Sequence, residues 1–276
     1  MDQFVPPLFA IPRELAVELT KMGGLLDACD DAKKLGEAIL DLLQGRKRDS
    51  DYKLVAFMIF AKCFKSFQAA QTLCRCGFGS DALSLCASMF ENVVDLLYIR
   101  KASVKRSRRY IQFEQVEKLL QAQKVLRKQR LPRGRRKAYR AFERNLSTQV
   151  SGLVRHFPNP HTGWSQKSLF QRAKSVRGEI AYYERYWIYC GHKHTLPMAA
   201  IGWTVTLPDG KPSLTIGPDI KEVYSGALSS AEEFLRMCKL FDHDLRLGLA
   251  AGIAKAETDL ERIAVKVRTE HPELVA

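Results

Sequence analysis

Apolar residues recur along most of the chain at steps of three and four, the spacing that puts side chains on one face of a helix. Pro12 followed by Glu14 predicts a helix start, and the pattern continues weakly past Gly23-Gly24 to Leu43. A polar link at 45–50 follows, and Ser50 or Asp51 is expected to cap a long helix running to about Cys76, stopped by Gly77 and Gly79. Its Leu54, Phe57, Met58, Ala61, Phe64 and Phe67 cover more than one face, as a central helix requires. Ser80 is read as the cap of the next helix, with Leu83, Cys86, Met89, Phe90, Val93 and Leu97 in register. Two apolar helices joined by a short glycine turn predict an antiparallel pair at the core.

From about Val104 to Gln129 a further helix carries Tyr110, Phe113, Val116 and Leu120 on one side. Leu131-Pro132-Arg133-Gly134 breaks it. The second limb then shows Tyr139, Phe142, Leu146, Val150, Leu153 and Phe157, a narrow seam suited to packing on one neighbour. Two such limbs, each roughly 35–40 Å long at 1.5 Å per residue, predict an antiparallel helical arm over 101–157. A proline-rich loop, Phe157 to Trp164, precedes a helical pattern from Ser168 to about Cys190. Trp203, Val205 and Leu207 alternate with threonines ahead of Pro208-Asp209-Gly210, which predicts a small β-hairpin over 203–216. Two last helices are expected at about 219–249 and 254–268. The expected class is all-α: a multi-helix bundle with the arm and the β-hairpin. N-terminal helices over 1–49 precede a main domain over 50–276.

Charge changes this picture. The 276 residues hold 44 Lys and Arg against 30 Asp and Glu, a formal net charge of +14. Residues 101–144 hold 16 of the cations and only Glu114, Glu117 and Glu143 against them, so this stretch alone carries +13. The remainder is close to neutral. Such concentration predicts a polyanionic partner, RNA or DNA backbone, met by Lys105, Arg106, Arg108, Arg109, Arg127, Lys128, Arg130, Arg133, Arg135, Arg136, Lys137 and Arg140. Tyr110, Tyr139 and Phe142 would be available for stacking if exposed. No base-reading motif accompanies them, so recognition is expected to follow shape and charge. An interfacial membrane helix would need bulky apolar residues opposite its charges, whereas the seam at 139–157 is suited to protein packing.

Other totals exclude classes. The most apolar run, Leu54 to Phe64, is too short to span a bilayer and contains Lys62. The N-terminus, acidic at Asp2 and broken by prolines, is unlike a signal peptide. Seven cysteines without a C-x-x-C pair are expected to be reduced, buried thiols, which predicts a cytoplasmic protein. Neither a cofactor nor a metal is expected: His192-x-His194 with Glu91 or Asp95 lacks a third ligand fixed by spacing.

Catalysis has one candidate. In Tyr182–His194, Arg185 and His192 are separated by six residues, which resembles the arginine–histidine spacing of HEPN ribonucleases. That resemblance implies a metal-independent endoribonuclease: a histidine moves the 2′-hydroxyl proton while a guanidinium holds the scissile phosphate. His194 and Glu91 are further candidate site residues by their own chemistry. Tyr186 stands where such sites place a polar residue. Equally, the stretch reads as an aromatic core helix ending at Gly191, with His192 and His194 near its C-terminal dipole. Glu91, amid an apolar helix, needs a partner, for which Arg185, Lys65 or a histidine of 192–194 would serve.

Lys65-Ser66-Phe67-Gln68-Ala69, Asp81-Ala82-Leu83-Ser84-Leu85, Phe90-Glu91-Asn92-Val93-Val94-Asp95-Leu96-Leu97-Tyr98, Tyr182-Tyr183 and Gly217-Pro218 together resemble a bacterial α-helical family of unknown function over about residues 55–250. The resemblance implies a helical domain and no established activity. An arginine expected three or four residues before Phe90-Glu91 is absent; Cys86, Ala87 and Ser88 stand there. Three functional expectations therefore stand side by side: backbone binding by the arm, RNA cleavage at Arg185 and His192, and an interaction module forming homo-oligomers through the 139–157 seam.

Overall fold

A computed structural model describes residues 11–45, 49–176, 179–194, 204–206, 211–214 and 217–275. Among them are ten α-helices: α1 (Arg13–Lys21), α2 (Gly23–Leu43), α3 (Asp51–Arg75), α4 (Gly79–Arg100), α5 (Ser103–Lys128), α6 (Arg133–Val154), α7 (Leu169–Ser175), α8 (Tyr183–Lys193), α9 (Val223–Leu245) and α10 (Ala250–Glu270). The class is all-α. The β-hairpin expected over 203–216 does not form part of this all-helical architecture. Extended pairing among the described residues is confined to Thr204–Thr206 against Pro212–Leu214, and Trp203, 207–210 and 215–216 lie outside them. Three pairs on two strands cannot bury an apolar face, so they add no layer to the fold.

The chain divides into two compact units. One takes Met1–Lys47, Met58–Val94 and Gly178–Ala276; the other takes Arg48–Phe57 and Asp95–Arg177. In the first, α3 stops as the glycines predict. Gly77 takes a left-handed φ of 81°, its N–H donates to the Cys74 carbonyl, and the Phe78 N–H donates to Leu73 at 2.8 Å, the hydrogen-bond pair of a Schellman stop. Ser80 does not cap α4; it lies inside the helix, and its hydroxyl bonds His192. Ser50 does serve α3, accepting from the Lys53 N–H at 3.3 Å.

Phenylalanines hold this unit together. Phe234 of α9 stacks on Phe67 at 4.5 Å and Phe64 at 5.2 Å, and Phe60 reaches Phe241 at 4.6 Å. Helix α2 closes on the same rings through Gly36, where a Cβ would fall 2.6 Å from Phe64 and 2.7 Å from Phe234. The N-terminal helices thus belong to this core: Leu25, Cys29, Ala32 and Ile39 are buried, and Arg75 of α3 pairs with Asp30 at 2.7 Å. Helix α4 is long and apolar enough to cross a membrane by length and composition, with mean hydropathy 1.4, yet 67% of that stretch is buried within the protein, as in a core helix. All seven cysteines are free thiols and five are buried; burial pushes Cys74 up to about 12.

In the second unit α5 and α6 form the expected antiparallel pair, roughly 39 and 33 Å long by rise per residue. Gln123 donates to Glu143, Leu119 packs with Leu146 and Val150, and Phe113 meets Phe157 at 5.2 Å. At its base Trp164 lies 5.2 Å from Tyr110 and 5.8 Å from Tyr98, and its indole donates to Asp95. Asp95 also pairs with Arg172 at 2.7 Å. The single helix expected from Ser168 to Cys190 is instead α7 and α8, with a 3-10 turn at Glu179–Tyr182 between them. Ser168 and Gln171 form a capping box at the start of α7.

Gly79 is a sharp test of this packing. A Cβ there would sit 2.2 Å from the Glu222 carbonyl carbon and the Val223 nitrogen, and backbone cannot swing aside as a side chain can. Gly79→Ala should lower unfolding free energy by about 3 kcal/mol in a denaturant titration. Gly152→Ala, in helix with open space around it, should leave stability equal or higher by up to about 1 kcal/mol.

Candidate functional site

The far half of the helical arm builds a concave surface. Between the end of α5 and the first half of α6 lies a groove of about 750 Å³, lined by Gln123, Leu126, Arg127, Arg133, Arg136, Lys137, Arg140, Glu143 and Arg144. Six cations face one carboxylate. Glu143 is already used, accepting from Gln123 at 3.3 Å and from Ser147 at 3.4 Å. Among the described residues Arg127, Arg133, Arg136, Lys137 and Arg140 have no carboxylate at ion-pair distance, unlike Lys118, which meets Glu114 at 2.7 Å. The α6 cations sit three and four residues apart, so they crowd one another along the helix. Each such like-charge pair costs roughly 0.2–0.5 kcal/mol. Lys128 and Arg130 at the end of α5, and Arg135 on α6, are exposed around the same tip.

The base of the arm uses its arginines differently. Arg106 lies 3.7 Å over the Tyr98 ring and donates to the Tyr98 carbonyl. Arg109 donates to the His156 carbonyl at 2.8 Å and lies over Phe157. Both are structural, holding the arm's root. Arg108 pairs loosely with Asp51 at 3.6 Å, and Lys105 is exposed. Tyr110 is packed on Trp164, and burial raises its pKa, so its ring is not free for stacking. Leu146, Val150 and Phe157 of the predicted seam are buried within the chain, whereas Tyr139 and Phe142 remain exposed.

The second candidate lies on α8 and does not assemble as expected. Arg185 pairs with Glu232 of α9, while His192 Nδ1 shares a 2.8 Å hydrogen bond with Ser80 Oγ of α4. Among the described residues no hydrogen bond or ion pair joins Arg185 to His192. Burial lowers the His192 pKa, against the pull of Glu222 and Asp81, so the ring is neutral at pH 7. His194 is exposed past the end of α8. Glu91 takes neither Arg185, Lys65 nor a histidine: Tyr186 donates to it at 3.1 Å and Lys193 at 3.0 Å. Burial, Cys190 and Glu91 all raise the Tyr186 pKa, which keeps that hydroxyl a donor. Both partners were within the stretch singled out from the sequence. Which of its residues reaches α4 depends on how α8 is rotated, and periodicity does not set that.

Sequence reasoning missed one buried cluster. Glu233 of α9 is fully buried, with Arg236 donating to it at 2.6 Å and also to Glu179, while the guanidinium stacks 4.1 Å from Tyr182. The one available signal was Glu233-x-x-Arg236, an i,i+3 pair on a helix otherwise rich in apolar residues.

Fold and site define an all-helical protein with a basic helical hairpin. Residues 53–210 match a family described as a family of unknown function (DUF5677), more than half of the chain, and the protein belongs to that family. This agrees with the resemblance read from the sequence, although the match ends before Gly217-Pro218. No curated protein and no solved structure matches the chain.

Glu233 should make stability pH-dependent. Burial raises its carboxyl to about 7 from an ordinary 4.5, with Arg236 pulling the other way. The folded state therefore favours the protonated acid. Stability is full below about 4.5 and falls as pH rises through 7, by an amount on the order of a few kcal/mol. Glu233→Gln cannot ionise, so its melting temperature relative to the native protein should climb from pH 5 to about pH 7 and level off toward pH 8. A constant difference across that range would show that Glu233 does not titrate there.

Proposed function

We propose that this protein binds nucleic-acid backbone through the far half of its helical arm. The observation that carries the reading is the groove whose arginines and lysine, Glu143 apart, meet no counter-charge among the described residues: their mutual repulsion is relieved when phosphates lie between them. Guanidinium groups suit this task because their planar forks meet two phosphate oxygens at once. Arg106 and Arg109 support the arm rather than touch the ligand. A reducing cytoplasm suits the seven free thiols.

RNA cleavage at Arg185 and His192 is the weaker reading. Glu232 already neutralises the guanidinium, and Ser80 occupies one imidazole nitrogen. RNA incubated with the protein is expected to stay intact. Cleavage that His192→Ala abolishes, with binding unchanged, would replace the present reading.

Fluorescence anisotropy with a labelled oligonucleotide tests the binding. Affinity should fall linearly on a log–log plot against salt, with a slope of about −0.7 to −0.9 for each phosphate engaged. The combined variant Arg133→Glu, Arg136→Glu, Arg140→Glu should abolish binding while circular dichroism stays native, since all three side chains are exposed. Arg109→Ala should instead lower the melting temperature. Affinity that ignores both salt and the triple reversal would end the proposal.

A further inference from the structure

Positive charge in the arm's groove is denser than one nucleic-acid strand can match. Six cations and one carboxylate line it, a balance of +5, and those on α6 run from Arg133 to Arg144, roughly 16 Å by helical rise. The cations come from both walls. Arg127 stands on α5 and the other five on α6, so an anion between the helices is met from two sides. Helix α6 itself adds to the excess. Arg133 and Arg136 stand in its first turn, which holds no acidic residue and has no side-chain cap, although the helix dipole disfavours positive charge there.

In a nucleic-acid strand each phosphate carries one charge and a sugar holds it apart from the next, so few charges lie along so short a groove. Its sugars and bases also hold the strand out of a cleft between packed helices. In a condensed phosphate chain neighbouring units share an oxygen, nothing projects from the chain, and each end carries a second ionisable oxygen. Three or four units bring about four to six negative charges at pH 7, close to the opposite of the groove's own charge. Their bare oxygens suit the forks of Arg127, Arg133, Arg136 and Arg140. We infer that the groove also takes a condensed phosphate chain of three or four units, free or as the tail of a nucleotide, and that this chain displaces nucleic acid from it. The inference rests on the reading above in one respect, that the groove's cations meet phosphate.

The test uses the full chain without magnesium and at fixed ionic strength. Phosphate, pyrophosphate, triphosphate and tetraphosphate are titrated by calorimetry, and each competes with a labelled oligonucleotide in anisotropy. Affinity should rise roughly tenfold from pyrophosphate to triphosphate and again to tetraphosphate, as charge-assisted hydrogen bonds are added. One tetraphosphate should bind per chain and release the oligonucleotide. Arg133→Glu, Arg136→Glu, Arg140→Glu should abolish tetraphosphate binding with native circular dichroism. Lys128→Glu, Arg130→Glu, at the same tip but not lining the groove, should leave it within about twofold. ATP distinguishes the two sources: affinity equal to that of triphosphate assigns the nucleotide tail, and a tenfold loss assigns the free chain. Orthophosphate that releases the oligonucleotide as well as tetraphosphate does would show screening alone and overturn the inference. Oligonucleotide binding that the triple reversal abolishes, with no binding of tetraphosphate, would overturn it and leave backbone binding standing. Tetraphosphate binding without oligonucleotide binding would keep the inference and end the reading above. Binding of neither would overturn both.

Discussion

Three helices of the first unit must approach so closely that position 36 can carry no side chain. Phe234 meets Phe67 and Phe64 face to face, and Gly36 of α2 rests against two of these rings. Interiors pack as densely as organic crystals, so such a contact sets the spacing of everything beyond it. Gly79 repeats the constraint at the far end of the same unit, where the start of α4 presses on the chain entering α9. These approaches bring Ser80 to His192, Glu91 to Tyr186 and Lys193, and Glu232 to Arg185. Side chains that a catalytic reading would leave free are consumed in joining α8 to its neighbours.

The arm obeys the opposite economy. Its root is dense with paired groups: Asp95 with Arg172, Trp164 among tyrosines, Arg106 and Arg109 bonded to carbonyls. Toward the tip the apolar seam gives out, and cations stand at helical spacing with one carboxylate among them. Such a surface is costly for the isolated protein and favourable for one that meets an anion, because the repulsion is released on binding. Root and tip together explain how one strongly basic segment contains both bonded arginines and arginines that meet no carboxylate among the described residues.

Helical class, the stop at Gly77, the hairpin of α5 and α6 and the charge asymmetry were all legible in the sequence, because each arises from residues within a few positions of one another. The break between α7 and α8 was less legible, since Ser168 and Gln171 signal a start but no residue before 177 signals the stop. The β-hairpin was over-read: alternation near 205 is a local pattern, and a sheet needs an apolar face to bury.

By itself, then, the sequence determined the helices, their pairing into an arm and where the positive charge lies. Tertiary structure alone decided which of those charges remain available. Arg106 and Arg136 are alike in residue type and helical setting, each the fourth residue of its helix, yet Tyr98 claims the first guanidinium and nothing among the described residues claims the second. Tyr110 and Phe142 differ in the same way, one closed under Trp164 and the other open. Periodicity fixes the face on which a side chain emerges. What meets that face comes from register and rotation between distant segments, which no local pattern encodes.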